Sequence, residues 1–99
     1  MLDLQSIVNV PASVMARRVG DEVIVLDLAG GEYFGLPDVG ARMWECLLDG
    51  QSLQEVANII ASEYEVDQAT ADADVARIVA ELRDRGLVAV SPSTALEGD

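Results

Sequence analysis

The spacing of hydrophobic and polar positions changes partway along the chain. From Val14 to Val19 and from Glu22 to Leu28, β-branched and aliphatic residues dominate, as they do in strands. Between them Gly20-Asp21 is a tight-turn signal, the glycine supplying the positive φ that such turns require. A second break at Ala29-Gly30-Gly31 leads into Glu32-Tyr33-Phe34-Gly35-Leu36. Alternation there puts Phe34 and Leu36 on one face and Tyr33 and Gly35 on the other. The expectation is a three-stranded antiparallel meander whose last strand, Gly31–Leu36, is an edge.

After Leu36 the period lengthens to that of helices. Asp38 follows Pro37 as an expected N-cap, and Val39, Met43, Trp44, Leu47 and Leu48 recur at helical spacing until Asp49-Gly50 stops the element. Ser52 with Glu55 three residues on is a capping box, and Leu53, Val56, Ala57, Ile60 and Tyr64 trace one face of a second helix. A third runs from about Gln68 to Arg85 with Ala71, Val75, Ile78, Val79 and Leu82 as its apolar stripe, and Gly86 ends it. Leu87-Val88-Ala89-Val90 is a short final strand or extended piece. The pattern predicts an α+β, winged helix-turn-helix-like fold: an N-terminal three-stranded antiparallel sheet followed by three helices. Any meander covering a three-helix cluster would satisfy it equally. Residues 13–90 are expected to form the domain, with 1–12 an N-terminal extension and 91–99 a flexible tail.

Charge narrows the partners. Eighteen acidic residues against six arginines and no lysine give a net charge of −12, a poor starting point for binding phosphate backbones or anionic lipid. A neutral or basic partner such as a peptide fits better. The N-terminal residues lack the basic start and long apolar core of a signal peptide, and no apolar run approaches the roughly 20 residues of a membrane span. A cytoplasmic location without membrane association is expected.

Candidate chemistry is sparse. Cys46 lies on an apolar helical stripe, as a buried structural thiol would, and the chain has no histidine to activate it or to bind zinc. The acidic groups Asp72 with Asp74, and Glu63 with Glu65 and Asp67, lack the glycine and bidentate glutamate spacing of a calcium loop and read as solvated faces. Gly30-Gly31 is a turn, with no phosphate-binding motif after it. No enzymatic activity and no cofactor are expected.

An ordered series of short motifs carries a family resemblance. Gly31-Glu32-Tyr33-Phe34-Gly35-Leu36 is followed by Gly40-Ala41-Arg42-Met43-Trp44-Glu45 and by Leu48-Asp49-Gly50-Gln51-Ser52-Leu53-Gln54-Glu55-Val56, then Tyr64, Asp74-Val75, Leu82 and Gly86-Leu87-Val88. The series resembles the PqqD-like family from about Val14 to Val90. Leu36-Pro37 departs from the family's usual Leu-Asn before the first helix, and the consequence expected is a shift of the cap to Asp38. The Gly-x-Tyr-Phe-Gly-Leu form looks closer to stand-alone proteins of lasso-peptide clusters than to the pyrroloquinoline quinone chaperone.

The resemblance implies a recognition element for ribosomally made, post-translationally modified peptides. Such a module binds the leader region of a precursor peptide and delivers it to a leader peptidase or other modifying enzyme. The leader would add as a fourth strand along Glu32, Tyr33, Phe34, Gly35 and Leu36. Selectivity would come from pockets between that strand and the third helix, where Val75, Ile78, Val79 and Leu82 are available, with Arg83 placed to meet an acidic leader residue. Phe34, Leu36 and the third-helix aliphatics are shared with a plain core reading, whereas Tyr33, on the opposite face, is the better ligand contact. Arg77 with Glu81 four residues on reads as an ordinary helical ion pair. The alternative is a winged-helix DNA-binding transcriptional regulator with the third helix in the major groove, against which Asp72, Asp74, Glu81 and Asp84 offset that helix's arginines.

Overall fold

Gly20, at φ 63°, turns the chain between β2 (Val14–Val19) and β3 (Glu22–Asp27), which pair antiparallel with Val19 opposite Glu22. The computed structural model describes residues 3–91 of the protein. A five-residue loop, 28–32, returns the chain along the far side of β3 as β4 (Tyr33–Pro37), so the sheet order is β2-β3-β4. The expected meander is present with β4 at an edge. Alternation sends Val23, Val25 and Leu36 inward to complete burial or close to it, while Met15, Val19 and Tyr33 stand exposed on the outer face.

Three helices pack under the inner face: α1 (Val39–Leu48), α2 (Leu53–Tyr64) and α3 (Gln68–Asp84). Their buried stripes meet in one core with the sheet, in which Trp44, Leu53, Ile60, Val75, Val79 and Leu82 are each at most 3% exposed. The Ser52 capping box forms in full: Glu55 N–H donates to Ser52 Oγ at 3.1 Å and Ser52 N–H to Glu55 Oε1 at 2.8 Å. Gly50 and Gly86 follow α1 and α3 at φ 83° and 75°, the left-handed geometry that ends a helix cheaply only at glycine. Cys46 is buried, as its place on the apolar stripe predicts, and burial pushes its thiol pKa up.

Two expectations need correction. Asp38 does stand at the N-cap of α1, but at φ 50° and without a side-chain cap bond. Its backbone is held instead, its N–H donating to the Asp21 carbonyl at 2.9 Å and its carbonyl accepting from Arg42 N–H at 3.1 Å. The first residues are also more than an extension. Ile7–Asn9 forms β1 and pairs antiparallel with β5 (Ala89–Ser91), Val8 is buried, and the Leu4 and Ser6 carbonyls accept from Gln54 and Leu53 at the start of α2. A strand of three residues is too short to show alternation, so only its distant partner reveals it. The flexible tail expected from residue 91 lies outside the described residues except for Ser91, which belongs to β5. Among the described residues no helix is long and apolar enough to cross a membrane.

Candidate functional site

The phase of the β3-β4 ladder decides what β4 offers outward. At its two ends Asp27 N–H donates to the Glu32 carbonyl at 2.8 Å and Asp38 N–H to the Asp21 carbonyl at 2.9 Å. Bonded and non-bonded positions alternate in an antiparallel pair, and the register runs Val25 opposite Phe34 and Val23 opposite Leu36. Phe34 and Leu36 therefore spend their backbone groups on β3. Tyr33 and Gly35 turn both N–H and C=O to the free edge, and Pro37 turns its C=O there, where its missing N–H costs the sheet nothing. Glu32 precedes the strand and closes the loop. Of the five strand residues expected to carry the site, the edge bonds belong to Tyr33 and Gly35.

That edge borders a groove. A cleft of about 350 Å3 is lined on one side by Phe34, Gly35, Leu36 and Pro37, at its end by Val39, Gly40 and Met43 of α1, and on the far side by Asp74, Arg77, Ile78 and Glu81 of α3. Gly40 lets α1 start hard against the strand, since a Cβ there would sit 3.3 Å from the Leu36 side chain. The volume is at the lower end for small-molecule pockets, about 300–1,000 Å3, and suits a few peptide side chains with an extended backbone beside them.

The α3 wall differs from the one expected. Val75, Val79 and Leu82 are each 0% exposed and belong to the core; only Ile78, half-buried, both packs against the core and reaches the groove. The groove stripe is the neighbouring one, Asp74, Arg77, Ile78 and Glu81, at spacings of three and four. Arg77 lies 3.7 Å from Asp74 and 4.0 Å from Glu81, the latter being the ion pair foreseen in the sequence. Arg83 is exposed, pairs with Asp84 at 3.6 Å and does not line the groove.

Arg85, the C-cap of α3, reaches the strand, whereas Arg83 does not line it. Its guanidinium lies 4.9 Å from the Phe34 ring centroid and 3.5 Å from the Glu32 carboxylate, spanning the end of the groove opposite α1. Its N–H still bonds the Glu81 carbonyl at 3.1 Å, so Arg85 continues the stripe of Arg77, Ile78 and Glu81; as a charged position off the apolar stripe it reads from the sequence as solvent-facing.

The family model for coenzyme PQQ synthesis protein D (PqqD) matches residues 22–88, which include β3, β4, all three helices and both walls of the groove. Comparison with curated protein sequences gave no match. Among solved structures the chain is similar to TbiB1 in complex with the TbiA(beta) leader peptide, with a TM-score of 0.75 and 34% identity over 80% of this chain and 92% of that one. It is also similar to lasso peptide synthetase B1 complexed with the leader peptide, with a TM-score of 0.77 and 32% identity over 83% of this chain and 96% of that one. The agreement in sequence motifs, sheet order and helix arrangement has one conclusion: the chain belongs to the PqqD family.

Proposed function

We propose that this protein binds the leader segment of a ribosomally synthesised precursor peptide in lasso-peptide biosynthesis and delivers it to the enzyme that cleaves the leader or modifies the peptide. The leader adds as a fourth strand outside β4, its backbone bonded to Tyr33, Gly35 and Pro37, with alternate side chains entering the groove beside Ile78, Met43 and Phe34. The observation that carries this reading is the uncovered edge of β4 facing a cleft of side-chain size. Two solved relatives, each about one third identical over most of both chains, are described as complexes with leader peptides. Backbone bonding makes the grip and carries little sequence information. Two or three buried leader side chains, at roughly 1.5–3 kcal/mol each, supply selectivity and, after ordering costs, micromolar or better affinity. The protein acts as a cytoplasmic, non-enzymatic adaptor without a cofactor, and the recognition unit runs from β1 to β5.

The DNA-binding alternative has little to stand on. Within α3 the four acids Asp72, Asp74, Glu81 and Asp84 outnumber the two arginines, Arg77 and Arg83, each of which lies beside an acid of the same helix, so the helix is net negative and ill suited to phosphates. Calorimetry with the leader of a precursor encoded beside this chain tests the proposal. Low-micromolar or tighter binding is expected; no heat of binding with any neighbouring leader would contradict it.

A further inference from the structure

The two ends of the groove differ in charge. Near α1, the α3 wall carries Asp74, Arg77 and Glu81, and Arg77 is shared between both acids, so that wall is net negative. At the opposite end stands Arg85. It meets a single acid, Glu32, at 3.5 Å, longer than the roughly 2.7–2.9 Å of a tight charge-assisted hydrogen bond. Its other contact is the face of Phe34, 4.9 Å to the centroid, which desolvates the guanidinium partly without using its N–H donors. An open cleft of about 460 Å3, bounded by Gly31 to Gly35 and Arg85, continues the strand edge at this end. A peptide laid along Tyr33 to Pro37 runs into it.

We propose that Arg85 is a specificity-determining residue that reads an acidic side chain, Asp or Glu, of the bound peptide at the end beside Tyr33. Phe34 holds the guanidinium in place while its loosely held edge turns from Glu32 to the incoming carboxylate. A planar fork of five N–H donors accommodates a second carboxylate, which a lysine in that position could not match. The opposite, net negative end selects neutral or basic residues, so the groove reads the order of charges along the peptide as well as its apolar anchors. The inference rests on the peptide-binding reading above.

The test is selection from a random peptide library displayed on mRNA, run in parallel on the full chain and on its Arg85→Glu variant. The wild type is expected to enrich peptides with Asp or Glu at one fixed distance from the apolar anchors, and Arg85→Glu to enrich Lys or Arg at that same position with the anchors unchanged. An acid-bearing peptide should lose about tenfold in affinity for Arg85→Glu and regain it when its acid is exchanged for Lys. If the variant fails to melt cooperatively, Arg85→Gln replaces it and should lose the acid preference while keeping the anchors. Enrichment of the same acid by wild type and variant, or no charge preference in either, overturns the role of Arg85. Failure of the wild type to enrich any peptide overturns peptide binding itself.

Discussion

The sheet has two free edges, β2 and β4, and they are built in opposite ways. The register places the outward backbone groups of β2 at Val14, Ala16 and Arg18, since Leu28 N–H donates to the Ser13 carbonyl and the pairs Met15–Leu26 and Arg17–Ile24 follow in phase. That edge carries two consecutive arginines, and Arg18 is tied to Glu45 of α1. Charge on an edge strand opposes pairing with another chain. Between Glu32 and Asp38, β4 has no charged residue at all, and α1 and α3 flank its edge so that only a thin, extended segment reaches it. One edge carries charge and the other is uncharged and recessed between α1 and α3, an asymmetry that suits β4 to an extended segment.

The sharpest way to break the comparison is to put proline on each edge. Gly35→Pro removes an outward N–H that β3 does not use, and an ideal Cβ there meets the flexible end of Glu22 at 2.7 Å and Ile24 Cδ1 at an ordinary contact distance of 3.6 Å. Leader affinity should fall by about tenfold or more, roughly 1.5–3 kcal/mol, with little change in melting temperature. Ala16→Pro makes the matching change on β2 and should leave affinity within about twofold; equal losses from both would mean the edges are not distinct.

A second comparison separates core from groove on α3. Val79→Ala, at a fully buried site, should cost about 2 kcal/mol of stability in denaturant titrations, with affinity of the folded fraction nearly unchanged. Ile78→Ala should do the reverse, costing about 1 kcal/mol in stability and a larger share in binding measured by calorimetry.

The smallest effect concerns acid. Arg42 holds Glu63 through paired 2.8 Å bonds from Nε and Nη2 across α1 and α2, and the guanidinium lowers the Glu63 pKa below its ordinary 4.5. A carboxylate whose folded pKa is depressed contributes stability above its unfolded pKa and loses it as pH falls through the folded one. Both side chains are well exposed, so the loss below pH 4.5 is slight. Glu63→Gln should remove that part of the acid dependence, as read from melting temperature against pH.

Legibility in the sequence followed the reach of the interactions involved. The β2–β3 turn, the Ser52 box, the glycine stops and the edge position of β4 come from contacts between near neighbours, and each could be read. β1 could not, because its partner β5 lies some eighty positions away. On α3 the apolar stripe is visible, but the core takes all of it except Ile78, which lines the groove with the adjacent charged positions Asp74, Arg77 and Glu81, and hydrophobic periodicity treats those as solvent-facing. Arg85 continues that charged stripe, its N–H bonded to the Glu81 carbonyl as the helix ends.

Residue-resolved amide hydrogen exchange, with and without a bound leader peptide, tests strand addition at β4 most directly. Binding should slow exchange at Tyr33 and Gly35, whose N–H groups face the free edge, and leave Ala16 and Arg18 on β2 unchanged. Unprotected Tyr33 and Gly35 amides in a saturated complex, or protection along β2 instead, would contradict it.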